Sequence, residues 1–329
     1  MSEARTSLEH ATRAQLVLGF AVIYIVWGST YLAIRIGLET LPPFFMAAVR
    51  FLIAGTLMYL WARLRGAPRP TMAEWKSSAI VGSLLLFVGN GAVSWAEQRV
   101  NSGMASLLVA TVPLWLVLCE WVQGQPPRVT KLIGVAIGLA GVGLLVLPAS
   151  ATTANAVVDG TAATTAETVV DPIGAIVLTI SALSWTIGSL YARTASLAKP
   201  ATLAIAMQML VGGSMLMMLA TATGEVSHVT QSPVSARSLL ALLYLIVFGS
   251  LIAFSTYMWL LRVASPTAVG TYAYVNPVVA VLLGVLVLGE RLPAQALLAM
   301  LVIVAGVAMV SLAPQLVRGF RGQSADSRP

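Results

Sequence analysis

ASATTANAVVDGTAATTAETVVD, residues 149–171, is the stretch that organises the rest of this chain. It is rich in Ala and Thr, holds no Lys or Arg and has no apolar period, so it reads as a flexible linker. Moving outward from it toward the N-terminus, apolar runs fill about 130–147, 102–122, 77–97, 43–62 and 15–36. In the other direction they fill about 172–192, 200–221, 238–260, 266–288 and 293–313. A hydrocarbon core about 30 Å thick needs about 20 apolar residues of helix to cross it. Five runs on each side therefore predict an all-α membrane protein with ten transmembrane helices. Several runs start at a proline (Pro43, Pro172, Pro200, Pro266, Pro293), which suits a first helical turn because the missing N–H has no partner there. The organisation expected is a five-helix unit over 1–148, the linker 149–171, a second five-helix unit over 172–314 and a tail over 315–329.

Composition points the same way. Of 329 residues 58% are hydrophobic and 9% charged, and the mean hydropathy is +0.89. A soluble globular surface uses about 25% charged residues. The net charge of +7 suggests nucleic acid at first sight, but the positions of the cations argue otherwise. With the N-terminus inside, the cytoplasmic segments hold Arg5, Arg13, Arg63, Arg65, Arg69, Lys76, Arg128, Lys131, Arg193, Lys199, Arg262, Arg318, Arg321 and Arg328. Arg35, Arg50, Arg99, Arg237 and Arg291 remain for the other side and the outer helix ends. This is the positive-inside asymmetry. It predicts a multi-pass membrane protein, both termini cytoplasmic, surrounded by lipid and without a nucleic-acid partner. The first apolar run is too long for a signal peptide and carries Trp27, Tyr31 and Arg35, so it reads as a retained helix. Cys119, the single cysteine, falls inside a run and forms no intrachain disulfide.

The two halves share phrases in the same order. Gly28-Ser29-Thr30-Tyr31 in the first run matches Gly188-Ser189-Leu190-Tyr191 in the sixth. Pro113 in the fourth matches Pro277 in the ninth, and Ala140-Gly141-Val142 in the fifth matches Ala305-Gly306-Val307 in the tenth. An odd number of spans per half forces the second half to enter the membrane from the opposite side. The repeats are then inverted, a plan used by secondary transporters whose two halves exchange shapes around a central site.

WGSTYLAIRIGLETLPPFFMAAVRFLIAG (27–55), GMASLLVATVPLW (103–115) and TYAYVNPVVAVLLGVLVLGERL (271–292) together resemble the EamA family of drug/metabolite transporters. The resemblance runs from about 15 to 313, with Arg50-Phe51, Asn276-Pro277 and Gly289-Glu290-Arg291 as its most specific parts. It implies a permease of two inverted five-helix repeats that exports amino acids, related metabolites or toxic compounds across the bacterial cytoplasmic membrane. The chain departs from the pattern after the fourth run, where Glu120-Trp121-Val122-Gln123-Gly124 stands without a Gly-Glu-Arg element. No role is carried over to that turn.

Candidate site residues follow from the cost of polarity in lipid. A proline inside a helix frees the carbonyl four residues earlier, here those of Val109 and Ala273. Matched kinks at Pro113 and Pro277 point to a midplane site, although a kink can also serve helix packing alone. Polar and aromatic stripes at helical spacing need an inward face. They are Tyr24, Trp27, Tyr31 and Arg35; Asn90, Ser94 and Glu97; Trp185 and Ser189; Ser255 and Trp259; and Tyr272 and Asn276. The substrate-binding set expected from them is Trp27, Tyr31, Asn90, Ser94, Trp185, Ser189, Trp259, Tyr272 and Asn276, suited to an amphipathic or aromatic small molecule. Arg50 lies about two turns into its span, where an unpaired charge costs about 3 kcal/mol even on the lenient insertion scale. Glu97 lies at a similar depth, so the two are expected to pair, as a structural link or an outer gate.

Other features are less telling. Glu120 near a span end can snorkel, and Gln208 can be cavity wall or helix glue. Gly134 and Gly138 allow a close helix crossing, within one chain or between chains, and the oligomeric state is left open. No Walker A sequence provides for ATP hydrolysis, so Glu97 as proton carrier and facilitated diffusion both stay open. With two histidines, His10 and His228, and no HExxH, carboxylate cluster or nucleophile elbow, neither enzyme, cofactor nor metal site is expected. A channel or receptor, or a sugar-phosphate or nucleotide-sugar exchanger, is the alternative. The exchanger requires several cations in the cavity, where the sequence offers mainly Arg50.

Overall fold

The computed structural model describes residues 12–146, 171–264, 266–290 and 294–325, and the side chains of these except 145, 146, 266, 267, 274 and 311–325. The linker up to residue 170, Arg5, Arg291, Pro293 and Arg328 lie outside the described residues.

Helices follow the apolar runs closely: α1 (Arg13–Gly37), α2 (Pro43–Leu64), α3 (Met72–Ala96), α4 (Ser102–Val122), α5 (Val129–Val146), α6 (Pro172–Ala192), α7 (Ala201–Ala222), a short α8 (Glu225–Gln231), α9 (Ala236–Val263), a one-turn α10 (Pro266–Val269), α11 (Tyr272–Leu288) and α12 (Ala294–Ala325). Among the described residues, α1, α2, α3, α4, α6, α7 and α9 are long and apolar enough to cross a membrane. Val129–Leu144, Val275–Leu288 and Ala294–Val310 are shorter apolar stretches. Local chemistry sets the ends. Thr12 and Gln15 form a capping box on α1, and Thr71 and Glu74 form one on α3. Pro43 and Pro172 occupy first-turn positions of α2 and α6. α8, absent from the sequence reading, is a short polar helix without an apolar face to reveal it.

The outside of the bundle is apolar. Ile176 and Ile180 on α6, Leu240 and Leu243 on α9 and Leu298 and Leu301 on α12 are all exposed by half or more. A surface of this kind requires a lipid solvent. The chain is an all-α membrane protein.

Two kinds of irregularity mark the interior. The third long helix of each half carries a π-helical stretch, Ser83–Asn90 in α3 and Leu245–Phe254 in α9. The wider turn of a π segment loosens the carbonyl ladder and re-aims side chains. The next helix of each half is interrupted, at Ala110-Thr111 within α4 and at Gly270-Thr271 between α10 and α11. In the first half the break stands just before Pro113, which takes a first-turn position of the resumed helix. In the second half the break precedes Pro277 by six residues, and Pro277 sits inside the continuous α11. The two prolines thus stand differently relative to the breaks, Pro113 at the restart and Pro277 within the helix. A proline costs little where the helix restarts and is carried by its neighbours within a packed helix, so the breaks need not coincide with the prolines.

Glycines place two antiparallel helix pairs in reciprocal contact. A Cβ on Gly55 of α2 would lie 3.0 Å from the Leu210 amide nitrogen of α7, and one on Gly213 of α7 would lie 3.0 Å from the Leu52 amide nitrogen of α2. Likewise a Cβ on Gly306 of α12 would press on the Gly138 amide nitrogen of α5, and one on Gly141 would lie 2.9 Å from the Ile303 amide nitrogen. Gly134 and Gly138 thus serve a crossing within this chain.

Candidate functional site

Seven of the helices converge on a cavity. α1 contributes Trp27, Thr30 and Tyr31, α3 contributes Asn90, α6 contributes Ser181 and Trp185, and α11 contributes Tyr272 and Asn276. α2 adds Arg50, α4 adds Val109 and α9 adds Gly249 and Phe254. The walls are mainly apolar and aromatic with a few convergent polar groups, the usual make-up of a small-molecule site.

The π stretches build this cavity. In α3, the Gly89 carbonyl accepts from Ser181 Oγ at 2.8 Å and the Leu84 carbonyl from Ser184 Oγ at 2.8 Å, so α6 supplies donors to loosened carbonyls. Asn90 turns its amide back to the Leu85 carbonyl at 3.3 Å. In α9, Gly249 leaves room for the Arg50 guanidinium, with a Cβ position 2.8 Å from Nη2, and the next residue, Ser250, accepts from Arg50 Nε at 2.7 Å. Arg50 is 5% exposed and lines the cavity.

The expected Arg50–Glu97 pair is corrected by this arrangement. Arg50 turns to Ser250, whereas Glu97 is fully buried with both carboxylate oxygens lacking a hydrogen-bond partner. The cause is the Gly249-Ser250 notch, which draws the guanidinium toward α9. Arg35 donates instead to the Glu97 backbone carbonyl.

Behind the first cavity four rings meet. Trp27 lies 4.8 Å from Tyr257, 5.3 Å from Tyr272 and 5.8 Å from Trp185, while Trp185 and Tyr257 stand 6.0 Å apart, centroid to centroid. Beyond them a second cavity is lined by Pro113, Ser189, Tyr257 and Tyr272, and also by Glu120, Lys131 and Arg193. Tyr272 borders both spaces. The ring cluster divides them.

Of the residues expected from the sequence, Trp27, Tyr31, Asn90, Trp185, Tyr272 and Asn276 meet at the first cavity, together with Arg50. Ser189 faces the second, its hydroxyl 3.4 Å from that of Tyr257. Ser94 is buried within α3 but borders neither space. Trp259 packs against Gly19 of α1, 2.9 Å from a Cβ position there, because its place on α9 lies beyond the ring cluster and turns outward from both spaces. Asn276, with its amide nitrogen turned toward α1, donates to the carbonyls of Tyr24 at 3.2 Å and Tyr272 at 3.3 Å. It serves as cavity wall and helix tie at once.

A second polar centre stands at the end of the bundle remote from Lys131 and Arg193. Glu290 accepts from the Ser102 backbone N–H at 3.2 Å and from its hydroxyl at 3.0 Å, at the start of α4. Gly289 closes α11 in the left-handed region (φ 65°) and the Glu290 N–H returns to the Gly284 carbonyl, which aims the side chain at Ser102. Gly124 has the same left-handed backbone (φ 84°) after α4, with Gln125 following it. The turn therefore has a backbone counterpart, in which Gln125 and Pro126 stand where the second half has Glu290 and Arg291.

The sequence matches the EamA-like transporter family profile twice, over residues 15–147 and 172–312. The chain belongs to the EamA-like transporter family. An uncharacterised inner membrane transporter of Escherichia coli K12, YedA, is 42% identical over 89% of this chain and 90% of its own length. A WAT1-related chloroplastic protein of Arabidopsis thaliana is 25% identical over 81% of this chain and 62% of its own. An uncharacterised transporter of Archaeoglobus fulgidus is 26% identical over 82% and 88%. A solved crystal structure, 22% identical, shares the fold with a TM-score of 0.60 over 92% of this chain and 99% of that one. As an EamA-like protein the chain is a multi-pass inner membrane protein of a transporter family.

Tyr257, Phe254, Ser181 and Ser250 escaped the sequence reading, and Glu290 was noted there only as part of the Gly-Glu-Arg element, without a site role. Gly249-Ser250 is a small pair in a strongly apolar run opposite a buried arginine, a usable signal in retrospect. Tyr257 offered none, since it stands two residues from a stripe assigned to another face.

Proposed function

We propose that this EamA-like chain is a secondary transporter that exports a small amphipathic or aromatic metabolite, amino acid-like in size, by alternating access between two inverted five-helix repeats. The repeats span 1–148 and 172–314, the linker 149–171 joins them, and both termini face the cytoplasm. The carrying observation is the pair of cavities set back to back, divided by Trp27, Trp185, Tyr257 and Tyr272. Such a divide closes one side while the other is open. The basic residues Lys131 and Arg193 support a cytoplasmic placement of the second cavity, by the positive-inside asymmetry.

The repeat reading draws support from the reciprocal glycine contacts. In α2 and α7, Gly55 meets Leu210 as Gly213 meets Leu52; in α5 and α12, Gly138 meets Gly306 as Ile303 meets Gly141. Exchange of partners across a pair is the mark of a two-fold relation. Paired π stretches and paired breaks fall in equivalent helices of each half. Among the described residues lining the first cavity Arg50 is the one cation and Glu and Asp are absent, which suits a single anionic group on the substrate and disfavours a sugar-phosphate or nucleotide-sugar exchanger.

Cells overexpressing the chain are to be challenged with a panel of toxic amino-acid analogues and aromatic metabolites, with efflux of the protecting compound measured directly. Wild type is expected to protect against at least one compound, and Arg50→Ala to lose that protection while reaching the membrane in normal amount. A wild type that is inserted and protects against none, or an unimpaired Arg50→Ala, overturns the proposal.

A further inference from the structure

The end of the bundle around Glu97 contains an unresolved electrostatic problem. Glu97 ends α3 at 0% exposure, and neither carboxylate oxygen has a hydrogen-bond donor. A buried ionised carboxylate without donors has lost its hydration with no hydrogen bond to replace it. Its surroundings pull in both directions. From α1 come Tyr31 and Arg35; the Arg35 guanidinium donates to the Glu97 backbone carbonyl and not to the carboxylate, and its nearby charge offsets only part of the effect of burial. From the end of α11 comes Glu290, close enough to act on Glu97 electrostatically. α2 brings Arg50, held by Ser250 of α9, and α6 begins at Asp171, paired with Arg99 at 3.0 Å.

The two acids are unequally served. Glu290 accepts from the Ser102 N–H and hydroxyl at the start of α4. It also borders an outward cleft shared with Arg35 and Gln98. Glu97 lies behind it, fully buried and without a donor to its carboxylate. Burial without a donor, beside a second carboxyl group, disfavours the charged form of Glu97.

We propose that Glu97 is a proton-binding site of this transporter, loaded while the outer end is closed as it is here, and released to external water when that end opens and hydrates the carboxyl. This rests on the alternating-access reading above. Glu290, tied to Ser102, bridges the two halves beside it, so separation of the halves would change both the hydration of Glu97 and the distance between the two charges.

The test is infrared difference spectroscopy of the purified full-length chain in lipid, titrated through pH in heavy and light water, on wild type, Glu97→Gln and Glu290→Gln. It reads the carbonyl stretch of a protonated carboxylic acid and requires no transported substrate, so its failure is separate from failure of the export reading. A protonated-acid band at neutral pH is expected in wild type and in Glu290→Gln, and is expected to vanish in Glu97→Gln. Its titration midpoint is expected to move to lower pH in Glu290→Gln, by on the order of one unit, once the neighbouring negative charge is gone. A Glu97→Gln spectrum that keeps the full wild-type band overturns the proposal. A midpoint unmoved in Glu290→Gln overturns the role given to the pair.

Discussion

Arg50 shows how one residue can be both readable and misread. An arginine two turns into an apolar helix had to meet something, and the stripe on α3 offered Glu97. The actual partner is a notch of two small residues, where Ser250 Oγ lies 2.7 Å from Nε and Gly249 makes space for Nη2. A charged hydrogen bond of this kind contributes about 1.5–3 kcal/mol, comparable with the insertion cost of the arginine. Gly249→Ala brings a methyl group to 2.8 Å from the guanidinium and is expected to displace it. Transport should fall about tenfold in efflux assays with membrane insertion retained, whereas Ser250→Ala should cost less because Nη groups can turn to water in the cavity. Equal and complete losses in both, with wild-type stability, would contradict this ranking. The sequence disclosed the stripes of Trp27, Tyr31, Trp185 and Tyr272 because aromatic and polar residues at helical spacing cannot face lipid cheaply. It could not disclose that Glu97 and Arg50 diverge, since that depends on the π stretch of α9 and no periodicity encodes a π turn.

At the level of elements, most helix ends were legible within about three residues, because runs of apolar residues bounded by prolines and polar caps leave little choice in lipid; the start of α3 and the far end of α12, where polar residues continue the helix, were not. The interruptions were not. The breaks at Ala110-Thr111 and Gly270-Thr271 are set by packing among α1, α6 and the broken helices, and the prolines marked only their neighbourhood. The crossing of α5 and α12 leaves no room for a side chain at Gly306, where a Cβ would meet the Gly138 and Gly134 backbones. Gly306→Leu is expected to destabilise the protein by about 1–3 kcal/mol, the range for overpacking, seen as a lower Tm in detergent; an unchanged Tm would place that crossing elsewhere. The start of α6 carries its own pH signature. Asp171 accepts from the Ile173 N–H at 2.8 Å and from Arg99, whose hydrogen bond holds the Asp171 carboxyl below the usual range. The folded chain therefore binds this proton less tightly than the unfolded one. The contribution is complete above the unfolded value, about 3.9, and is lost as pH falls through the depressed one. Amide exchange at Ile173 and Gly174 should accelerate on that descent in wild type, and should already be fast at neutral pH in Asp171→Ala.

For the molecule as a whole, the two cavities and the rings between them make accessibility the decisive quantity. The wall of four rings is thin, since Tyr272 touches both spaces, yet its members hold one another edge to face, Trp27 against Trp185 at 86° and against Tyr272 at 82°. Aromatic pairs in such arrangements gain about 0.5–1.5 kcal/mol beyond their buried area, enough to favour closure without locking it. Cys119 is the native thiol, so Cys119→Ser supplies a background for placed cysteines. In that background Ser189→Cys, in the second cavity, should react with a membrane-impermeant thiol reagent in inside-out vesicles and resist it in right-side-out ones. Ser181→Cys, in the first cavity, should resist it in inside-out vesicles as long as the rings stay shut. Adding Trp27→Ala removes the residue that touches the other three rings, and Ser181→Cys should then become reactive from the cytoplasmic side as well. If Ser181→Cys reacts equally from that side with Trp27 in place, the rings are no barrier and the two spaces form one continuous pore.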